Sequence, residues 1–444
     1  MRYRILVLLA LIFLSVGAKP AAAQQQRYIV KTNNGLSSVL NFCLSAGCQV
    51  QGALDGAIGK TYAVTSSNTN FLGNLVNGLL QLLERLLGIT SVEADRLLAI
   101  PSGPKANPAA GLWDTTPVNY YGTTVWNGYV NQPATQIIEL QNAQHGFGVS
   151  GTGIVADIDT GVDTTHPALS RVLVPGYDFT RNQPGASEWL DIAGMENGIT
   201  SSDSQDEQPA LVQQRTVAVL DQRTVAVLDG GPYADFGHGT MTAGLIHLAA
   251  PTAQILPLKA FSANGTGSLS NIIAALYYAA QHNAKVVNMS FDFPSTSPAF
   301  SAAVSYANGQ GIILVASAGN EGTSTAVYPA ASGSSSVVGI ASTSDNDVRS
   351  SWSNYGNLDV WIAAPGENVV TTYPGGTYAS ASGTSFSCPL VTGTVDLMLD
   401  ASSSLTQTKA ASALANAIHL TPDINHGRLN VYMALQAWRQ ASRW

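Results

Sequence analysis

Downstream of Gly111, short apolar runs alternate with segments of helical period, and this alternation limits the fold more than any other feature of the chain. Residues 153–158 read as a buried strand, 269–282 as a helix, 284–288 as a strand, 297–308 as a helix and 312–316 as a strand. A further helix is predicted over 386–399. Strands separated by helices return in the same direction, so the pattern predicts an α/β fold with a mostly parallel sheet covered on both faces. In such sheets ligands bind at the carboxyl ends of the strands.

The first hundred residues read differently. Arg2 and Arg4 precede an apolar run over 5–18, and Ala21, Ala22 and Ala23 supply small residues for a signal peptidase. That run of 14 residues is short of the ~20 that a spanning helix needs, so a removed export signal over 1–23 is predicted, cut before Gln24. Residues 24–100 form a small α+β unit by pattern. RYIVKT, TYAVTS and ITSVEAD are strands, and leucines 72, 75, 79, 82, 83 and 86 lie at helical spacing over 71–87. PSGPKANP (101–108) is linker-like, and the processing site is expected within 101–112. The main domain then runs over 113–444. Inside it, 181–233 is a polar, irregular insert in which QRTVAVLD occurs twice in tandem, at 214–221 and 222–229, and is expected to extend a surface loop or a hairpin.

Composition narrows the function classes. Basic residues number 20 against 28 acidic, a net charge of −8 without a basic stripe, so phosphate-driven nucleic-acid binding has no electrostatic footprint. Charged residues are only 11% of the chain, and Ser, Thr, Asn and Gly fill the surface instead. No later segment is apolar enough to span a bilayer, so a secreted, monomeric protein without a membrane anchor is expected. Cys43 and Cys48 are close enough to pair in an oxidising compartment, while Cys388 reads as a small buried packing residue. No cysteine or histidine spacing suits zinc.

Four segments carry the chemistry. GIVADIDTGVDTTHP (153–167) places Asp159 at a strand end, where a carboxylate can be buried, rigid and able to orient an imidazole. GHGTMTAG (237–244) flanks His238 with glycines, so backbone can approach closely; its ordinary pKa suits proton transfer near neutrality. SGTSFSCPLVTG (382–393) starts a helix at Ser385, whose own N–H is free to hold an oxyanion. ASAGNEG (316–322) follows a strand, and the Asn320 side-chain amide is a second oxyanion donor. Asp157 lies two residues before Asp159 on the same strand face. It reads either as a hydrogen-bonded buried carboxylate or as a partner behind the triad.

With DTGVDTTHP, GHGT, NMS, SAGNEG and GTSFSCP in this order, the chain resembles the subtilisin family of serine peptidases. The resemblance implies a three-layer fold around a seven-stranded parallel sheet, and endopeptidase activity on polypeptides through an acyl-enzyme of Asp159, His238 and Ser385. It extends to the N-terminal unit, which is similar to the family's inhibitory propeptide, a partner of its own enzyme until self-cleavage. It also implies that substrate adds as a strand along Gly265, Thr266 and Gly267. The opposite wall, often Ser-Leu-Gly-Gly, is Ser290-Phe291-Asp292-Phe293 here, and the pocket floor is Val327. Bulk and a carboxylate in place of glycines predict a narrowed primary pocket for small or medium side chains.

No cofactor enters this chemistry. Many subtilisins ligate calcium through an Asp after His-Pro; Ala168 stands there, so a structural calcium is left unassigned. The residues also speak to two rival readings. An inactive peptide-binding scaffold is opposed by the intact triad, and an esterase lacks its GxSxG elbow because Ser387 replaces the second glycine.

Overall fold

The computed structural model describes residues 25–76, 86–101, 109–192, 216–221, 224–228, 233 and 235–442. The export signal, most of the 101–108 linker and leucines 79, 82 and 83 lie outside the described residues. The chain forms two compact units, Met1–Ala53 with Ala57–Asp95, and Leu54–Gly56 with Arg96–Trp444. Arg96 to Ile100, read from sequence as the end of the leader, therefore belong to the larger unit.

The small unit is an antiparallel sheet of β1 (Gln26–Thr32), β2 (Gln49–Ala53), β3 (Thr61–Ser66) and β4 (Ile89–Ala94), in the order β2-β3-β1-β4. Alternation in β1 sends Tyr28 and Val30 to one face. There they meet Val39, Phe42 and Cys43 of α1 (Leu36–Ala46), with Phe71 at the start of α2 (Phe71–Val76). Cys43 and Cys48 are joined in a disulfide.

The large unit opens with β5 (Leu97–Ala99) and a hairpin of β6 (Pro117–Tyr120) and β7 (Thr123–Trp126). Its main sheet uses β8 (Ile154–Asp159), β9 (Tyr177–Asp178) and β10 (Gln183–Pro184). The duplicated octapeptide supplies β11 (Thr216–Asp221) and β12 (Thr224–Leu228), which pair antiparallel with each other, Val217 opposite Val227. After α3 (His238–Ala249) come β13 (Gln254–Lys259), β14 (Thr266–Ser268), α4 (Leu269–Gln281), β15 (Ala284–Met289) and α5 (Pro298–Gly309). β16 (Ile313–Ser317), β17 (Val338–Thr343), β18 (Ile362–Pro365), β19 (Val369–Tyr373), β20 (Thr377–Ala381) and α6 (Thr384–Ala401) follow.

The main sheet has the order β10-β9-β13-β8-β15-β16-β17-β18. The run from β9 to β18 is parallel throughout, and only β10 joins antiparallel, at the edge. This is the α/β sheet expected, with helical boundaries displaced by one or two residues. Ser268 and Ser297 cap α4 and α5, each accepting the amide three residues on. A second sheet, β12-β11-β20-β19, takes in the octapeptide hairpin.

α3 is buried along its whole length and packs beside α6 and against β19. The packing is close because of Gly244: a Cβ there would lie 2.1 Å from Thr372 Oγ1 and 2.5 Å from Thr371 Oγ1. The helix that starts with His238 is thereby fixed at the carboxyl end of β8, the central strand that ends in Asp159.

Candidate active site

Asp159 ends β8 at 1% exposure, and His238 opens α3 at 5%. The two meet directly: Nδ1 of the imidazole stands 2.7 Å from Oδ1 and 2.9 Å from Oδ2 of the carboxylate. A clasp holds the strand end to the helix start. Gly239 N–H donates to Thr160 Oγ1, Thr160 Oγ1 donates to Glu188 Oε1, and Thr240 N–H donates to the same Glu188 oxygen. Gly239 is required here, since a Cβ would fall 2.0 Å from the Gly161 carbonyl oxygen.

Burial alone would depress the proton affinity of His238, but the charge and hydrogen bond of Asp159 outweigh it, and the pKa is pushed up to about 9. Asp235, and Asp157 when ionised, add smaller contributions of the same sign. Burial in turn raises the carboxyls of Asp235, to about 6, and Glu188, to about 8.

Ser385 occupies the first turn of α6 and is 2% exposed. Its hydroxyl donates to the Ser290 carbonyl at 3.2 Å, and no hydrogen bond among the described residues joins it to His238. Pro389 explains a second contact. Lacking an N–H, it leaves the Ser385 carbonyl without its helical donor, and the Ser290 hydroxyl donates to that oxygen at 2.9 Å. The Ser385 amide is one of the first-turn N–H groups that a helix cannot use itself.

Asn320 is fixed from both sides. Its Oδ1 accepts from the N–H and hydroxyl of Thr384, both at 2.9 Å, which leaves its amide N–H₂ to donate elsewhere. That amide donates to the Pro101 carbonyl at 3.2 Å. Pro101 ends an extended stretch of this chain: β5 pairs antiparallel with β14, Ala99 opposite Thr266 and Leu98 opposite Gly267, while Ile100 N–H donates to Gly265 O at 2.9 Å. The edge read from sequence as the substrate ledge thus carries an added strand, and the carbonyl that follows it reaches Asn320.

On the facing wall, Phe291 and Phe293 are each 1% exposed. Phe291 packs on Phe261, and Phe293 on Phe300 and Tyr328. Arg96, just before the added strand, lies over the Phe293 ring, 6.0 Å from its centroid. Asp292 remains beside the site: a Cβ on Gly319 would lie 2.6 Å from Asp292 Oδ2 and 2.8 Å from Glu321 Oε2. Burial, with Glu321 and Asp359 nearby, pushes the Asp292 carboxyl up to about 8. Val327 is 8% exposed and donates its N–H to Asp359.

Sequence reasoning missed Glu188, which it placed in a polar surface insert. In the fold Glu188 is 1% exposed and holds the end of β8 to the start of α3. Asp191 of the same insert meets Lys259 Nζ at 2.7 Å, and that lysine is fully buried. His166 is buried and packs against Tyr378, outside the cluster. Among the described residues no group of three or more His, Cys, Asp or Glu is arranged to hold a metal ion. No helix among them is long and apolar enough to cross a membrane.

The model of the subtilase family matches residues 150–432, which takes in Asp159, His238, Asn320 and Ser385. The chain belongs to the subtilase family. It is 32% identical to thermitase of Thermoactinomyces vulgaris over 64% of this chain and 88% of thermitase. It is equally similar, at 32%, to subtilisin BL of Lederbergia lenta, over 62% of this chain and 86% of that protein. A thermophilic serine proteinase of Bacillus sp. strain AK1 is 33% identical over 63% of this chain and 61% of its own length. This subtilase is accordingly a serine-type endopeptidase.

Proposed function

We propose that this subtilase is exported as a precursor, frees itself from its leader, and then cuts polypeptides through an acyl-enzyme on Ser385. A turn about the Ser385 Cα–Cβ bond takes its hydroxyl from the Ser290 carbonyl to Nε2 of His238. His238 removes the proton as Oγ attacks the peptide carbonyl, and Asp159 supports the imidazolium. The Asn320 amide and the Ser385 N–H receive the oxyanion. His238 returns the proton to the leaving amine, and water releases the acyl group by the same steps. The observation that carries this reading is the two-oxygen grip of Asp159 on His238 Nδ1, at 2.7 and 2.9 Å.

The strand over 97–101 supports self-processing. Pro101 offers its carbonyl to the oxyanion amide, so the bond proposed to break is the one after Pro101. Secreted wild-type protein is then expected to begin at Ser102, whereas Ser385→Ala keeps its leader and cleaves no peptide. An S385A chain that still loses the leader without added protease would refute self-processing. One that still hydrolyses peptides would refute the acyl-enzyme. The primary pocket, with Val327 at its floor and Asp292 at its wall, is proposed to take small or medium side chains. Pro101 is of that size. Peptide-library profiling checks this, and strong cleavage after Phe or Tyr would contradict it.

A further inference from the structure

Asp157 has no part in the steps above, yet it lies two residues behind Asp159 on β8, at 3% exposure. Its Oδ1 accepts from Asn288 Nδ2 at 2.8 Å, and its Oδ2 stands 2.8 Å from Thr242 Oγ1. Thr242 is one helical turn after His238 on α3. The same hydroxyl is 3.1 Å from the Gly239 carbonyl and 3.4 Å from Asp159 Oδ2. A hydroxyl has a single proton to donate. Two carboxylates and a carbonyl therefore compete for it, and were Asp157 ionised, two anions would share one donor in a water-excluded place.

A second proton resolves the conflict. We propose that Asp157 is a positioning residue for the catalytic pair: as the neutral acid it donates from Oδ2 to Thr242, which frees the Thr242 hydroxyl proton for Asp159. Of the two carboxyls that meet the Thr242 hydroxyl, Asp159 alone then carries a charge. Burial and the neighbouring charge of Asp159 both raise the proton affinity of Asp157, in agreement.

The other arm of Asp157 reaches the nucleophile. Asn288 Nδ2, which binds Asp157 Oδ1, also lies 2.9 Å from Ser290 Oγ, and Ser290 Oγ donates to the Ser385 carbonyl. Thr392 of α6 fixes the amide by donating to Asn288 Oδ1 at 3.0 Å. One buried carboxyl thus braces the helix that carries the base and the turn that carries the nucleophile. The ionisable groups facing it are Asp159 on its own strand, His238 from α3 and the Cys388 thiol from α6, which burial keeps protonated. Loss of the Asp157 proton would pull the Thr242 hydroxyl back to Asp157 and add a negative charge near His238. Asp159 would lose a donor, and His238 would hold its proton more tightly.

The proposal rests on the Asp159–His238–Ser385 reading, so the test separates the two. Full-length wild type, Asp157→Asn, Asp157→Val and Thr242→Val are expressed, and kcat, KM and the pH profile of kcat/KM are measured on a chromogenic peptide. A fluorophosphonate label counts reactive Ser385 in each. In D157N the new amide can donate to Thr242 and accept from Asn288, but it has no proton to lose. D157V and T242V should lose about tenfold in kcat with KM little changed, the size of one net hydrogen bond, and D157N should recover most of that loss. Wild type should also show a second ionisation, depressing kcat/KM at alkaline pH, that D157N lacks. Normal labelling with D157N and wild-type profiles superimposed would overturn the role of Asp157 alone; D157N suffices for this if D157V does not fold. A wild type that is active while Ser385 goes unlabelled would overturn the triad, and this proposal with it.

Discussion

Replacing Gly239 by Ala tests how closely the backbone sets the contact between His238 and Asp159. A Cβ on Gly239 would lie 2.0 Å from the Gly161 carbonyl oxygen and 3.1 Å from the Gly161 nitrogen. Carbon and carbonyl oxygen in ordinary contact stand roughly 3.3 Å apart, so the start of α3 and the turn after β8 must part by about 1.3 Å. Both obstructing atoms are backbone, tied down by the Thr160–Glu188 clasp, and no rotamer change relieves them. His238 Nδ1 stands 2.7 Å from Asp159 Oδ1, and a shift of that size takes the pair out of hydrogen-bond range. Misplacement by ~1 Å costs on the order of 10²-fold in turnover, and overpacking costs ~1–3 kcal/mol in stability. The assay is kcat and KM of matured G239A on a chromogenic peptide, with Tm by calorimetry. Gly309→Ala is the control, because nothing lies within 4 Å of a Cβ at that position in α5. It should leave turnover alone and gain at most ~1 kcal/mol from helix propensity. G239A turning over within about threefold of wild type would refute the reasoning, since the contact would then tolerate a displaced helix.

Asn320→Ala should lower kcat by about 10²–10³ with KM little changed, a range measured on a subtilisin's own oxyanion asparagine and carried over within the family; steady-state kinetics check it, and a loss spread mainly into KM would contradict it. The His238 pKa is raised in the folded state, so the stability it contributes is complete below its ordinary value of about 6.5 and is lost as pH rises through about 9. The neutral base forms over the same window, so kcat/KM should rise with pH there while denaturant stability falls, and Asp159→Asn should flatten both. Glu188→Gln keeps an acceptor oxygen for Thr240 and Thr160, so it should preserve most of the turnover. Glu188→Ala leaves two buried donors unpaired and should cost ~1–3 kcal/mol in chemical denaturation.

The parallel sheet was legible, and so were the places of Asp159, His238, Ser385 and Asn320 at strand ends and helix starts, because each depends on local pattern. Apolar runs bounded by helical segments give the layers, and DTG, GHGT, GTS and AGN are short motifs whose glycines and turns are local needs. What could not be read depends on contacts between distant segments. Glu188 looked like one more polar residue of an insert, since nothing near it in sequence shows Thr160 and Thr240 waiting for an acceptor. How Phe291 and Phe293 pack could not be read because their partners, Phe261 and Phe300, come from other elements. Asp157 left two readings open because its partners, Thr242 and Asn288, come from other elements. The octapeptide repeat was readable as a possible hairpin, but that its first strand, β11, also joins β20 depends on a segment more than 150 residues away.

The proposed function depends above all on covalent acylation of Ser385. A slowly deacylating activated ester, mixed with matured enzyme and quenched within milliseconds to seconds, tests it most directly when followed by intact-mass analysis and peptide mapping. A burst of one leaving group per active enzyme molecule and a single acyl adduct on Ser385 are expected. Full turnover with no burst and no adduct, or an adduct on a different residue that carries the activity, would contradict it.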